Sequence, residues 1–186
     1  MEKNSVLYQD LESELLITRE QIAERVRALG EQITADYRDR NLVVVSILKG
    51  SVVFFADLIR EIDLPLTIDF IQANSYGNET QSSGFVHILK DLDRSIEGKD
   101  VLLVEDIVDS GRTLSYLKTM LKERGATSIR IATLLDKPEG RQVQMEADYV
   151  GFIIPNAFVV GYGLDYAERY RNIPDIGILR PRVYQK

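Results

Sequence analysis

Residues 101–114 read VLLVEDIVDSGRTL. Four apolar residues of strand character run into two adjacent carboxylates, Glu105 and Asp106, and the chain then passes through Asp109 into Ser110-Gly111-Arg112-Thr113. From Thr113 on, Leu114, Leu117, Met120 and Leu121 share one helical face until Gly125, which predicts a helix to Arg124. Strand, turn and helix in that order make an anion cradle. The amides at a helix start, with the hydroxyls of Ser110 and Thr113, hold a phosphate monoester without a lysine beneath it. Glu105 and Asp106 leave the strand just ahead of the turn, where carboxylates bind sugar hydroxyls directly or through a hydrated magnesium ion. An acidic helix start compensated by the helix dipole is the plainer reading. Three acids packed beside VLLV and IV weigh against it, because crowded carboxylates need partners. The stretch is not a P-loop, and no G-x-G-x-x-G follows a strand.

Outward from this point the same unit recurs. LVVVSILKG, residues 42–50, is a continuous apolar run closed by glycine, and SVVFFADLIREI, 51–62, has the pattern of a helix. Before it, Thr18 with Gln21 forms a capping box, and Ile22, Val26, Leu29 and Ile33 predict a helix over about 18–37. LTIDFIQANSYG and FVHILKDL read as strands around a polar, glycine-flanked loop at 74–84. A loop of that length and composition is either a plain solvated connection or a mobile lid. SIRIATLLDKPEG gives a further strand and turn, followed by ADYVGFIIP, AFVVGYGLDY and a basic tail from Glu168. Continuous apolar runs separated by helices predict an α/β fold with a largely parallel sheet covered on both faces.

We expect one domain over 1–186, with a core at about 16–148 and a small hood made of 1–15 with 149–186 over the C-terminal edge of the sheet, where α/β proteins place ligands. Ile176, Ile178 and Leu179 in the tail look exposed and suited to an interface.

Composition narrows the chemistry. The 186 residues contain no cysteine and one histidine, His87, in a strand-like stretch, which excludes disulfides, thiolate chemistry and multi-histidine metal sites within one chain. A net charge of −6 argues against nucleic acid as a partner of the whole surface. The acidic N-terminus does not read as a signal peptide, and no apolar run approaches the ~18 residues of a membrane span. A soluble, cytoplasmic protein without membrane contact is the expectation.

VLLVEDIVDSGRTL resembles the 5-phosphoribosyl-1-pyrophosphate binding motif of the type I phosphoribosyltransferases. LKGSVVFFADL at 48–58, NSYG at 74–77, LLDKP at 134–138 and FVVGYGLDYAERYR at 158–171 resemble the hypoxanthine-guanine branch, so the likeness runs from about residue 5 to 180. It implies the type I fold, Mg2+ as cofactor, and transfer of the phosphoribosyl group to N9 of hypoxanthine or guanine, giving IMP or GMP and pyrophosphate. The residue roles it implies are as follows. Glu105 and Asp106 meet the ribose hydroxyls and magnesium, and Asp109, Ser110, Gly111, Arg112 and Thr113 wrap the 5-phosphate. Asp109 is the catalytic group, facing purine N7. Lys49, Gly50 and Arg171 meet pyrophosphate, and Ser75 and Tyr76 close over the site. Lys137, Phe158, Val159 and Asp165 form the base side, with Asp165 also holding a second magnesium.

Ala157 stands where relatives carry a basic residue, and Arg112 where many carry lysine. The family also implies a homodimer or homotetramer. The competing readings are a transferase preferring xanthine, an RNA-binding regulator on the same fold, and a silent homologue. The acidic composition disfavours the second, and the full set of matched residues disfavours the third.

Overall fold

The computed structural model describes residues 6–75 and 86–185, with only the backbone of Asn74 and Ser75. A six-stranded sheet forms the centre: β2 (Leu42–Leu48), β3 (Thr67–Ser75), β4 (Val86–Lys90), β5 (Asp100–Val108), β6 (Ser128–Asp136) and β7 (Tyr149–Ile153), in the order β4-β3-β2-β5-β6-β7. β2 is parallel to β3 and β5, β5 to β6 and β6 to β7, while β4 is antiparallel to β3.

Alternation along the strands explains why both faces are covered. Leu42 and Val44, with Leu102 and Val104, pack beneath helices α1 (Arg19–Asp36) and α2 (Val52–Glu61). Val43, Val45 and Ile47, with Val101 and Leu103, pack beneath α3 (Arg112–Glu123). A strand buried on both sides reads as an unbroken apolar run, which is what VVV and VLLV are. The Thr18–Gln21 capping box closes α1 as expected.

A second, three-stranded antiparallel sheet joins the two ends of the chain. β1 (Leu11–Ile17) pairs with β9 (Ile176–Leu179), which pairs with β8 (Val159–Val160). A short helix α4 (Pro181–Tyr184) follows.

Two boundaries differ from expectation. The small sheet takes the chain as far as Ile17, not 15. Residues 149–153 belong to the central sheet, because β7 hydrogen-bonds along β6 and buries Tyr149. The tail's apolar residues are also not a free surface: Ile176 and Leu179 are fully buried in the small sheet and Ile178 is half-buried. Inward packing of β9 takes up the surface that an interface would have used. The expected loop start at 74 is displaced too, since β3 runs through Ser75, opposite Val86.

Candidate active site

The connection after β2 leads to β3 on one side, and β5 lies on the other, so the chain direction around the sheet reverses between β2 and β5. Parallel sheets open a crevice at the C-terminal ends of such a pair, because the two following loops diverge. Here those loops are Lys49-Gly50-Ser51 and Asp109 to Thr113; Glu105 and Asp106, expected to leave the strand, lie instead within the C-terminal end of β5, which stays paired with β6 through Val108. A cleft of about 300 Å3 lies between them, lined by Lys49, Gly50, Glu105, Asp106, Ile107, Asp109, Ser110, Gly111, Thr113, Asp165 and Arg171 among others.

The turn after β2 is held from below. Ser51 Oγ donates to the Ile47 carbonyl at 2.6 Å and lies 2.8 Å from Ser46 Oγ, all three residues being buried. The Leu48–Lys49 peptide is cis. Gly50 carries no side chain for a steric reason: a Cβ there would overlap the Asp106 carboxylate. Gly163, at φ +102°, brings the loop of the small lobe against the Gly50 carbonyl, where a Cβ would again collide.

Glu105 and Asp106 crowd one wall. The Asp106 amide donates to Glu105 Oε1 at 3.2 Å, and the Ile107 amide donates to Asp106 Oδ1 at 2.8 Å. Burial, and then the charge of Asp106, push the Glu105 carboxyl well above the usual carboxylate range. Burial also raises Asp106, opposed by hydrogen bonds from Glu105 and the Ile107 amide and by the charge of Arg171. Two crowded carboxylates facing a cleft are poised for a cation or for hydroxyl donors.

Beyond them the chain enters α3 through Gly111, at φ +78°. This helix start has no capping side chain, in contrast to α1, and the Arg112 amide reaches only Ser110 Oγ at 3.4 Å. Free amides at a helix start, beside the hydroxyls of Ser110 and Thr113, have the form of an anion cradle.

The opposite wall comes from the small lobe. Arg171 donates through Nη1 to the Gly163 carbonyl at 2.8 Å and pairs through Nη2 with Asp165 at 2.9 Å and Glu168 at 3.4 Å. Lys49 Nζ pairs with Glu168 at 3.1 Å, and that hydrogen bond and charge hold the Glu168 carboxyl below its usual range. The second oxygen of Asp165 accepts from the Glu168 amide at 2.9 Å.

Four of the expected residues do not line the cleft. Arg112 starts α3 with its side chain outside it, and Lys137 reaches it only through Asp109, with Nζ 2.9 Å from Oδ2. Phe158 and Val159 stand at β8. The Phe158 ring stacks on Tyr184 at 4.9 Å and meets Tyr166 edge-on at 5.5 Å. Ser75 ends β3, and Tyr76, with the rest of the expected 74–84 loop, lies outside the described residues.

Sequence reasoning did not single out Glu168, which joins Lys49 to Arg171, or Arg141, whose Nη1 donates to the Asp109 carbonyl at 2.7 Å. Glu168 was one acid among many in a charged tail, and Arg141 sat in a turn with no local pattern to mark it. Among the described residues no group of three or more His, Cys, Asp or Glu side chains is arranged to hold a metal unaided. Nor is any helix there long and apolar enough to cross a membrane.

Comparison with known proteins agrees with this geometry. The family model described as "Phosphoribosyl transferase domain" matches residues 15–167. The chain is 56% identical over 171 residues to the hypoxanthine-guanine phosphoribosyltransferase of Bacillus subtilis, covering 92% of this chain and 95% of that one. It is 55% identical over 183 residues to the "Bifunctional protein TilS/HprT" of Listeria innocua, covering 98% of this chain but only 28% of that protein's length. Among solved structures, a hypoxanthine phosphoribosyltransferase from Staphylococcus aureus superposes with a TM-score of 0.94 at 52% identity, covering 100% of both chains. With the fold, the cleft at its switch point and these matches in agreement, the chain belongs to the phosphoribosyl transferase domain family.

Proposed function

We propose that the protein transfers the 5-phosphoribosyl group from 5-phosphoribosyl-1-pyrophosphate to N9 of hypoxanthine or guanine, releasing pyrophosphate and giving IMP or GMP, a purine-salvage reaction. The observation that carries this reading is the convergence on one cleft of the crowded Glu105–Asp106 carboxylate pair, an uncapped helix start and two cations, Lys49 after β2 and Arg171 on the small lobe. Its likeness to the hypoxanthine-guanine phosphoribosyltransferase of Bacillus subtilis supports the choice of bases.

In this reading the amides of 110–113 and the hydroxyls of Ser110 and Thr113 hold the 5-phosphate, with Arg112 at the rim. Glu105 and Asp106 take the ribose hydroxyls. Lys49 and Arg171 face the leaving pyrophosphate, whose departure leaves positive character on the ribose; fixed cations on the leaving side therefore act more strongly in the transition state than in the ground state. Asp109 accepts from the N7 side of the purine as N9 attacks, while Lys137, its ion-pair partner, donates to the 6-oxo group. Phe158 keeps one face on Tyr184 and offers the other to the base, with the Val159 backbone at its edge. Ser75 and Tyr76 contribute to closure that excludes water.

Mg2+ fits the donor set. The Glu105 and Asp106 carboxylates are hard oxygen ligands whose crowding a divalent cation relieves, and Mg2+ takes few protein ligands, filling its shell with water and substrate oxygens. When bound it supplies charge neutralisation on the pyrophosphate. Asp165 is a poorer candidate for a second ion while both its oxygens are engaged. We further propose action as a homodimer or homotetramer in the cytoplasm.

The test is pyrophosphate release from the donor, with hypoxanthine, guanine, xanthine, adenine or uracil supplied singly, with and without magnesium. Magnesium-dependent turnover with hypoxanthine and guanine is expected. Turnover confined to xanthine or a pyrimidine would overturn the base assignment, and no turnover with any base would overturn the enzyme reading.

A further inference from the structure

The loop that leads into the phosphate cradle is tied at three successive carbonyls to the turn after β6. Val108 O accepts from the Lys137 amide at 2.9 Å, Asp109 O from Arg141 Nη1 at 2.7 Å and Ser110 O from the Gln142 amide at 3.0 Å. The outer two rungs are backbone and survive any substitution except proline. The middle rung alone depends on a side chain.

Arg141 is suited to that place. Its guanidinium forks, with Nη1 on the Asp109 carbonyl and Nη2 on the carboxylate of Asp136, the last residue of β6; both side chains are mostly buried. The planar fork offers two separate nitrogens at a fixed spacing, which the single nitrogen of a lysine does not reproduce between these two acceptors. The same turn encloses the Asp109 carboxylate: Lys137 Nζ takes Oδ2 at 2.9 Å, and Gly140 leaves room for Oδ1, which a Cβ would overlap.

We propose that Arg141 is a positioning residue: it latches the 137–142 turn to the 109–113 loop and thereby fixes the Asp109 carboxylate against Lys137. This rests on the transferase reading above, in which Asp109 and Lys137 both face the purine. The latch makes base recognition and phosphate binding one rigid unit. Its loss frees Asp109 to misaim while the outer rungs keep the phosphate cradle in place.

Two variants test it. Arg141→Lys keeps the charge pair with Asp136 but cannot fork, and Asp136→Asn with Arg141→Gln removes both the fork and the carboxylate that would otherwise be left unpaired. Each is expected to keep a thermal midpoint close to wild type and the donor KM within about twofold, while kcat with hypoxanthine falls about tenfold, or ~1.4 kcal/mol of barrier. Amide hydrogen exchange at Lys137 and Gln142, the backbone donors of the outer rungs, is expected to rise in both as the turn opens more often. A stable variant with wild-type kcat, or with exchange at these two amides unchanged, would overturn the latch. Exchange needs no substrate, so a wild type that used no purine would overturn the transferase reading alone, and the exchange result would still decide the latch.

Discussion

The two walls of the cleft are built by opposite means. The wall carrying Glu105, Asp106 and Asp109 grows from β5, whose Val101, Leu102, Leu103 and Val104 are all fully buried and which is paired on both sides. The wall carrying Asp165, Glu168 and Arg171 hangs on a loop with non-glycine residues at positive φ (Tyr162, Ala167, Glu168 and Tyr170). That loop is closed by its own hydrogen bonds and by polar ties to the N-terminal segment, Tyr8 Oη to Asp175 and Tyr170 Oη to Asp10. Fixed geometry on the first wall comes from apolar burial, which is insensitive to pH and salt. On the second, burial of Val160, Tyr162, Leu164 and Ile173 anchors the loop, and charges and hydrogen bonds, which are sensitive to both, place the groups that face the cleft. Substitutions on the strand-borne wall should therefore alter chemistry with little loss of stability, whereas on the lobe those at buried ties such as Asp175 should lower stability and those at exposed pairs such as Glu168 should not.

The sharpest test of the first half is Asp109→Asn. The amide keeps an oxygen for buried Lys137 but gives up the charge, so kcat is expected to fall about 100-fold or more with a loss of only ~1 kcal/mol in folding. Equal losses of fold and turnover would show that the pair is structural. Next comes Gly50→Ala. Its methyl must displace the Asp106 carboxylate, and displacement of one reacting-site group by about 1 Å costs roughly 10- to 100-fold in rate. Donor binding measured without the base should weaken together with kcat, since Asp106 is assigned to the ribose. Unchanged donor affinity would remove Asp106 from that role.

Asp175 tests the second half through pH. Burial alone lifts its carboxyl, but the Tyr8 hydroxyl, the Arg19 amide and the Arg19 charge together hold it below the usual range. A carboxyl depressed in the fold contributes stability above its unfolded value, about 4, and loses it as pH falls through the lower folded value. Tyr8 runs the other way: burial and the Asp175 hydrogen bond push its hydroxyl up to about 12, so its contribution is full below about 10 and fades as pH rises toward the folded value. Thermal unfolding followed from pH 3 to 11 should show the lobe weakening at both ends. Asp175→Asn should flatten both limbs and lower the midpoint at neutral pH. A profile identical to wild type would mean that the lobe does not depend on this tie.

The same contrast explains what the sequence made legible. β5, its turn and α3 could be read from one continuous stretch, 101–125, because every step is local: an apolar run, a glycine, an amphipathic period. The capping box at Thr18 is equally local. The small sheet reads from sequence only as a gathering of chain ends, since it pairs Leu11 with Leu179, β8 and β9 are too short to show a period, and β1 is broken by register shifts. Residues 149–153 read as part of the hood for a similar reason: an apolar pentapeptide does not say that it will pair with β6. Arg141 was invisible, because its two acceptors, a backbone carbonyl and Asp136, converge only after β5 and β6 align. Tyr184 behind Phe158 depends on the fold of the tail in the same way.

The smallest expected effect asks whether the lobe's charges hold the cleft open for an anion or merely hold one another. Glu168 bridges Lys49 and Arg171, yet all three are at least partly exposed, and such solvent-screened pairs contribute little to stability. Glu168→Gln should leave the thermal midpoint nearly unchanged. It also removes the carboxylate that competes for the two cations assigned to pyrophosphate, so pyrophosphate should inhibit the variant about two- to threefold more strongly. That gain should shrink with added salt, because the competing pair is solvent-screened. Weaker inhibition would mean the reverse: Glu168 orients Arg171, whose Nε is buried without a partner among the described residues, and the lobe's wall is organised by its acids rather than held against them.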